Sequence, residues 1–142
     1  MKKNLFIILG FFIVVIVIIT YIYYNYMKLT IISQQNNREY ESYTETQILG
    51  TSLITLIHKV INQNEKNEVE KDEKNIYIDN NKNSIKIEVK FLESDKTYSM
   101  EAIYNLSSEQ FVKNYSQMSF ICTKKEYHKK TNNIKYMLFE QI

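Results

Sequence analysis

The chain of 142 residues contains no proline, no tryptophan, two glycines and one cysteine. Two glycines are too few for the glycine-rich loops that bind phosphates or dinucleotides. The absence of proline and the shortage of glycine also exclude collagen-like and linker-like sequences. The single cysteine, Cys122, rules out an intrachain disulfide and leaves the redox compartment undetermined. The length is that of one domain.

The chain also has little excess of positive over negative charge. The net charge of +2 comes from Lys2 and Lys3, because residues 4–142 carry 16 basic and 16 acidic side chains. A neutral body lacks the attraction for phosphates that dominates nucleic-acid binding, so we expect no nucleic-acid partner. Residues 39–74 are acidic and residues 113–142 are basic. These are either solvated faces that interact weakly or, for the second range, a surface for an acidic partner.

One long apolar run is present. Residues 5–24 contain no charged side chain, and their 20 residues are long enough, at about 1.5 Å each, to cross a hydrocarbon core about 30 Å thick. We predict a transmembrane anchor over residues 1–27 that contacts lipid through residues 5–24. Four tyrosines lie at its far end, where aromatic rings prefer the headgroup layer: Tyr21, Tyr23, Tyr24 and Tyr26.

A cleaved signal peptide is the alternative interpretation of this run. The run is longer than the usual apolar region of a signal peptide, and no pair of small residues follows it. Lys2 and Lys3 precede the run, whereas Lys28 and the more distant Arg38 follow it. This modest bias favours a single-pass protein of the cell membrane with a cytoplasmic N-terminus and an extracellular C-terminal domain.

Residues 28–74 are predicted to form an amphipathic helix and a charged linker. The polar stretch 33–45 contains no proline or glycine that would stop a helix. From residue 49 onward, apolar side chains recur on one helical arc: Leu49, Leu53, Ile54, Leu56, Ile57, Val60 and Ile61. Gly50 lies within this arc, which indicates close packing of a neighbour against it. The asparagines around residue 64 are expected to end the helix.

Residues 75–142 are predicted to form an antiparallel sheet of about five strands, which makes one ectodomain with the amphipathic helix. Alternating apolar residues place strands near 76–79, 85–91, 98–104, 118–123 and 134–140. A short helix over 108–115 is indicated by Ser107 as N-cap with Gln110, and by Leu106 with Phe111 as a hydrophobic staple. The predicted fold class is therefore α+β.

Few residues are candidates for catalysis or metal binding. Cys122, with His128 or His58 as base, is the best nucleophile candidate, but it shares a strand face with Phe120, which favours an inert thiol. Two distant histidines and one cysteine match no zinc-binding spacing. We predict no catalytic, cofactor-binding or metal-binding residue, and no enzyme. Five tyrosines either form a contact surface or pack within the fold: Tyr98, Tyr104, Tyr115, Tyr127 and Tyr136.

The order of an apolar span, an amphipathic helix, a linker and a small sheet resembles the type IV pilin-like proteins, including pseudopilins and Tad-type minor subunits. Their prepilin peptidase motif is absent, because Gly10 is followed by Phe11 but has Val15, not Glu, at the fifth position after it. The resemblance implies an unprocessed accessory subunit of an envelope assembly, pilus-like or secretory, with residues 5–24 supplying lateral helix contacts.

Three functions are consistent with these features. The first is a non-enzymatic, membrane-anchored, extracytoplasmic protein that binds other proteins. The second is a ligand-binding or sensing ectodomain with a pocket between the amphipathic helix and the apolar face of the sheet. The third is a small thiol enzyme that uses Cys122.

Overall fold

The computed structural model describes residues 2–94, 96–106 and 108–142 and has an α+β fold. The helices are α1 (Lys2–Thr44), α2 (Gly50–Lys66), α3 (Met100–Asn105) and α4 (Ser108–Tyr115). The strands are β1 (Ile48–Leu49), β2 (Lys86–Lys90), β3 (Thr97–Ser99), β4 (Ser119–Tyr127) and β5 (Ile134–Gln141).

The apolar run and the polar stretch that follows it form one uninterrupted helix, α1, of 43 residues. The chain leaves this helix after Thr44 and forms the short strand β1, which the sequence pattern did not reveal. A separate helix, α2, then begins at Gly50 and ends at Lys66 with Asn67 as its C-cap, as the asparagines predicted.

The five strands form one sheet in the order β1-β4-β5-β2-β3. Three of the four strand pairs are antiparallel, as predicted, but β2 and β5 run parallel. Parallel pairing needs a long connection, and here α3, α4 and β4 all lie between the two strands in the chain. The pairing aligns Ile87 with Met137 and Val89 with Phe139, so that these four side chains lie on one face.

The apolar arc of α2 packs on this face and leaves no gap there. Its buried side chains include Leu53, Leu56, Ile57 and Val60, each of which is 0 % exposed. Gly50 is closely packed, as predicted: an added Cβ would lie 1.9 Å from the carbonyl oxygen of Tyr115. A side chain at this position would therefore push α2 away from α4.

One predicted strand is wrong and another ends early. Residues 76–79 form only an isolated bridge between Lys71 and Tyr77, and the amide of Tyr77 donates to the carboxylate of Glu101 instead of to a strand. The predicted strand 98–104 ends at Ser99, because the Ser99 hydroxyl accepts from the amide of Ala102 and caps helix α3.

The other elements lie close to the predicted positions. Helix α4 has the predicted bounds 108–115, although its predicted N-cap, Ser107, lies outside the described residues. Strand β4 extends to Tyr127, four residues beyond the predicted end. One register shift, between Cys122 and Lys124, lies at the predicted end, and a second, between Glu126 and Tyr127, lies in the added length.

Candidate functional site

In the first half of α1, the apolar side chains described from residue 6 onward are largely exposed. Phe6, Phe12 and Ile19 are 71 %, 60 % and 60 % exposed, respectively. A continuous exposed apolar surface of this size is typical of a membrane or protein contact. Helix α1 is long and apolar enough to cross a membrane, which is consistent with single-pass anchoring.

The second half of α1 is joined to the body by polar contacts. The Asn37 amide donates to the carbonyl oxygen of Asn132 at 2.7 Å and accepts from the amide of Ile134 at 2.8 Å. Tyr40 is only 4 % exposed, and the Glu39 carboxylate lies 2.8 Å from Nζ of Lys59 on α2. The second half of α1 therefore packs against the body, and the apolar run is continuous with it.

These contacts define two ends of the body. Thr44, at the end of α1, accepts from Nζ of Lys125, whereas Asn37, nearer the apolar run, contacts Asn132. The turn between β4 and β5 therefore points towards the apolar run. We call this turn (residues 128–133) and the adjoining loop 79–84 the anchor-proximal end, and the opposite end of the body the anchor-distal end.

The anchor-proximal end is held together by side-chain hydrogen bonds to backbone. The side-chain oxygen of Asn80 accepts from three successive amides, those of residues 82–84. His128 Nε2 lies 2.7 Å from the carbonyl oxygen of Ser84, and the Thr131 hydroxyl donates to that of Lys82 at 2.7 Å. These bonds tie the turn to the loop.

A polar cavity of about 220 Å³ lies beside this joint, between α1 and α2. Amide side chains dominate its lining: Asn36, Asn37, Gln63, Asn67, Asn83 and Asn133. The side-chain oxygen of Asn133 is buried, and among the described residues nothing donates a hydrogen bond to it. The cavity therefore presents a polar, uncharged lining apart from Glu39.

The anchor-distal end contains a cavity of about 340 Å³ with an aromatic lining. Phe91 is central: its ring lies 4.5 Å from that of Tyr115, 5.5 Å from that of Tyr98 and 6.2 Å from that of Phe111, measured between centroids. Glu93, Ser94, Gln110 and Asn114 supply the polar part of the lining. Its volume is within the range of small-molecule sites. It lies against α3 and α4, not between α2 and the sheet where a pocket was predicted.

The structure does not place either histidine beside Cys122. Its thiol donates to the carbonyl oxygen of Lys124 at 3.4 Å, and among the described residues neither histidine contributes to its pKa. Burial raises the pKa of the Cys122 thiol, which lowers the fraction of reactive thiolate at neutral pH. His128 is 3 % exposed and bound to Ser84, and His58 contacts the Tyr104 ring edge-on at 4.8 Å.

The five tyrosines do not form one surface. Tyr98 and Tyr115 line the aromatic cavity. Tyr136 lies on the opposite face of the sheet, where its hydroxyl donates to Glu88 at 2.7 Å, and burial and this carboxylate both raise its pKa. Tyr104 and Tyr127 are 40 % and 41 % exposed. Two of the five, Tyr98 and Tyr115, therefore lie together, beside the buried rings of Phe91 and Phe111.

In the described parts of the chain, no group of three or more metal-ligating side chains comes together. The fold and these sites describe an α+β body fixed to a helix that is apolar enough to anchor it in a membrane. No match to a protein-family model, a curated protein or a solved structure was found.

Proposed function

We propose that this chain is a non-enzymatic, single-pass protein of the cell membrane, with a cytoplasmic N-terminus and a body outside the cell that binds another protein. In keeping with the pilin-like order of its elements, it serves as an accessory subunit of a pilus-like or secretory envelope assembly. The observation that carries this proposal is the uninterrupted α1, which joins an uncovered apolar run to a packed body through Asn37 and Tyr40.

The position of exposed apolar side chains supports a protein partner at the anchor-distal end. Leu92, Leu106 and Ile142 are 69 %, 59 % and 56 % exposed. Leu106 lines the aromatic cavity, and the amides of Leu92 and Ile142 bond to Gln141 and Ser119, at the ends of β5 and β4 away from the anchor. Such a patch next to aromatic rings is typical of protein-binding surfaces.

Protease treatment of intact cells tests the location. A full-length chain with a C-terminal epitope should lose the epitope when protease is added outside, while a cytoplasmic protein in the same cells stays intact. Protection of the epitope until the cells are lysed would refute the extracellular location.

A matched pair of variants tests the partner surface. Leu106→Asp changes an exposed side chain of the patch, and Ile78→Asp changes one that is 46 % exposed elsewhere on the body. Purification in mild detergent should recover the partner with the wild-type chain and with Ile78→Asp, but not with Leu106→Asp. Equal recovery with both variants would remove the patch from the interface.

The aromatic cavity favours a second candidate, a ligand-binding or sensing ectodomain. Its size and its mixed lining suit a small apolar molecule with one polar group, which Glu93, Gln110 or Asn114 would contact. Asn114 is exposed, so Asn114→Trp should block the cavity without disturbing the core. A ligand that raises the melting temperature of the wild-type chain but not of Asn114→Trp would support this candidate.

A further inference from the structure

We propose that the anchor-proximal end docks on anionic lipid headgroups through three lysines, Lys82, Lys129 and Lys130. This inference rests on the membrane anchoring proposed above and adds a second, electrostatic contact between the protein and the bilayer. The three lysines lie at the tips of the loop and the turn that form this end.

The helix α1 sets the distance between these tips and the membrane. If residues 5–24 fill the hydrocarbon core, Ser33 lies nine residues, or about 14 Å, beyond it. The headgroup layer occupies about half of that distance. Ser33 is 4 % exposed, so the body already covers α1 at this level. The body at this level lies within about one Debye length of the headgroups at physiological salt, and the turn contacts α1 at Asn37, one helical turn further out.

The three lysines carry positive charge that is not neutralised locally. All three are exposed, and none lies within ion-pair distance of a carboxylate in the part of the chain that the structure describes. Lys135, by contrast, is paired with Asp79 at 2.6 Å. The nearby end of α2 and the residues after it add charges of both signs: Lys66, Glu68 and Glu70, and Glu65, which is paired with Lys71 at 3.7 Å. With the three lysines included, these groups keep a net positive charge.

The tips are also held in place before any lipid binds. Thr131 bonds to the backbone of Lys82, and His128 bonds to Ser84, so the turn and the loop form one unit. Asn132 adopts a φ of 55° at the turn, and its amide donates to the carbonyl oxygen of His128 at 2.8 Å. Because the backbone is fixed, docking orders only the lysine side chains.

The direction of this surface favours lipid over an acidic protein. It faces the bilayer across a gap of about 7 Å, which is the distance left after the headgroup layer and is too narrow for a folded partner. A lysine side chain that reaches the headgroups of an anionic leaflet experiences a surface potential of about −30 mV, which raises the local proton concentration about threefold, whereas at one Debye length the rise is less than about twofold.

Amine acetylation of the full chain in nanodiscs tests this proposal, because only the unprotonated amine reacts. We expect acetylation of Lys82, Lys129 and Lys130 to be about threefold slower in discs with phosphatidylglycerol than in discs of phosphatidylcholine alone. Lys90 and Lys113, exposed lysines towards the anchor-distal end, should react at the same rate in both discs. Salt at 1 M should remove the difference, because the Debye length is then about 3 Å.

A pair of triple variants adds a readout that does not depend on labelling. The amount of phosphatidylglycerol that copurifies from mixed vesicles should fall when Lys82, Lys129 and Lys130 are all changed to Gln. It should not fall when Lys90, Lys96 and Lys113 are changed to Gln. All six lysines are exposed, so neither variant disturbs the core.

The outcomes separate this inference from the anchoring on which it rests. Equal acetylation rates of the three lysines in the two kinds of disc would overturn the docking while leaving the anchor intact. Flotation of the vesicles tests the anchor directly. A chain that does not float with the vesicles would refute both.

Discussion

The two ends of the body are stabilised by different interactions. At the anchor-distal end, Phe91, Phe111 and Phe120 pack ring against ring with centroids 6.0–6.4 Å apart. At the anchor-proximal end, Asn37, Asn64 and Asn80 bond to backbone groups of residues 82–85 and 132–134. Apolar burial is non-directional, whereas a buried amide requires donors and acceptors at fixed positions.

The two ends should therefore lose stability through different kinds of substitution. A cluster of rings loses stability when its volume changes, because the cavity that remains is not refilled. An amide network loses stability when a single atom is changed, because a buried backbone group is then left without a partner. The following experiments test this contrast.

Phe120→Ala should have the largest effect. Phe120 is 0 % exposed and packs against both Phe91 and Phe111. We expect the free energy of unfolding to fall by about 3–5 kcal/mol, measured by urea unfolding of the full chain in detergent. The neighbouring Ile121 is 39 % exposed, so Ile121→Ala should cost much less. Similar losses for both variants would contradict a ring-packed distal end.

Gly50→Ala should have the next largest effect. The added methyl group would meet the backbone oxygen of Tyr115, which cannot move aside as a side chain does. We expect a loss of about 1–3 kcal/mol in the free energy of unfolding. Gly10→Ala is the matched control, because an added Cβ there has nothing within 4 Å. A stable Gly50→Ala variant would show that α2 and α4 are loosely packed.

Asn37→Ala should cost about 1–3 kcal/mol, since the amide of Ile134 and the carbonyl of Asn132 would both lose their partner. The loss should be local, so limited proteolysis should cut α1 near Asn37 faster than in the wild type. Asn36→Ala, at an exposed neighbouring position, should leave the cleavage rate unchanged. Unchanged cleavage in Asn37→Ala would mean that other contacts hold α1 to the body.

Asp79→Asn should have the smallest effect, and it should depend on pH. Partial burial raises the pKa of Asp79, but hydrogen bonds from Lys135 and Ser84 outweigh it and leave the pKa below its ordinary value of 3.8. The carboxylate therefore stabilises the fold above that value, and the contribution is lost as the pH falls below it.

The stability of Asp79→Asn should accordingly fall less steeply than that of the wild type below about pH 4. Glu93→Gln, at the anchor-distal end, is the control and should keep the wild-type slope. A wild-type slope in Asp79→Asn would show that the pair with Lys135 does not contribute to stability.

The apolar patterns of the sequence predicted most of the fold. The uncharged run predicted the first half of α1, the arc from Leu53 to Ile61 predicted α2, and alternation predicted β2, β4 and β5. Each of these patterns reflects burial of one face of a regular element, which local sequence records directly. Gly50 was also informative, because a glycine within an apolar arc indicates that a neighbour packs closely against the helix.

The errors occurred where side-chain hydrogen bonds decide the structure. Alternation of Tyr98 and Met100 predicted a strand through residue 104, but the cap at Ser99 starts a helix with Met100 and Ile103 buried. The amide network was not predicted at all, because Asn37 and Asn64 bond to backbone groups 95 and 21 residues away in sequence. No local pattern specifies partners at such separations.

Because α1 is unbroken, the body is attached directly to the helix that carries the apolar run. From Tyr24 to Thr44 the helix is about 30 Å long, so a change of about 20° in its tilt displaces Thr44 sideways by about 10 Å. Because Asn37 and Tyr40 attach the body to α1, the aromatic cavity is displaced together with the helix. If α1 is anchored as we propose, a bilayer of different thickness, which alters the tilt of the helix, also repositions the aromatic cavity.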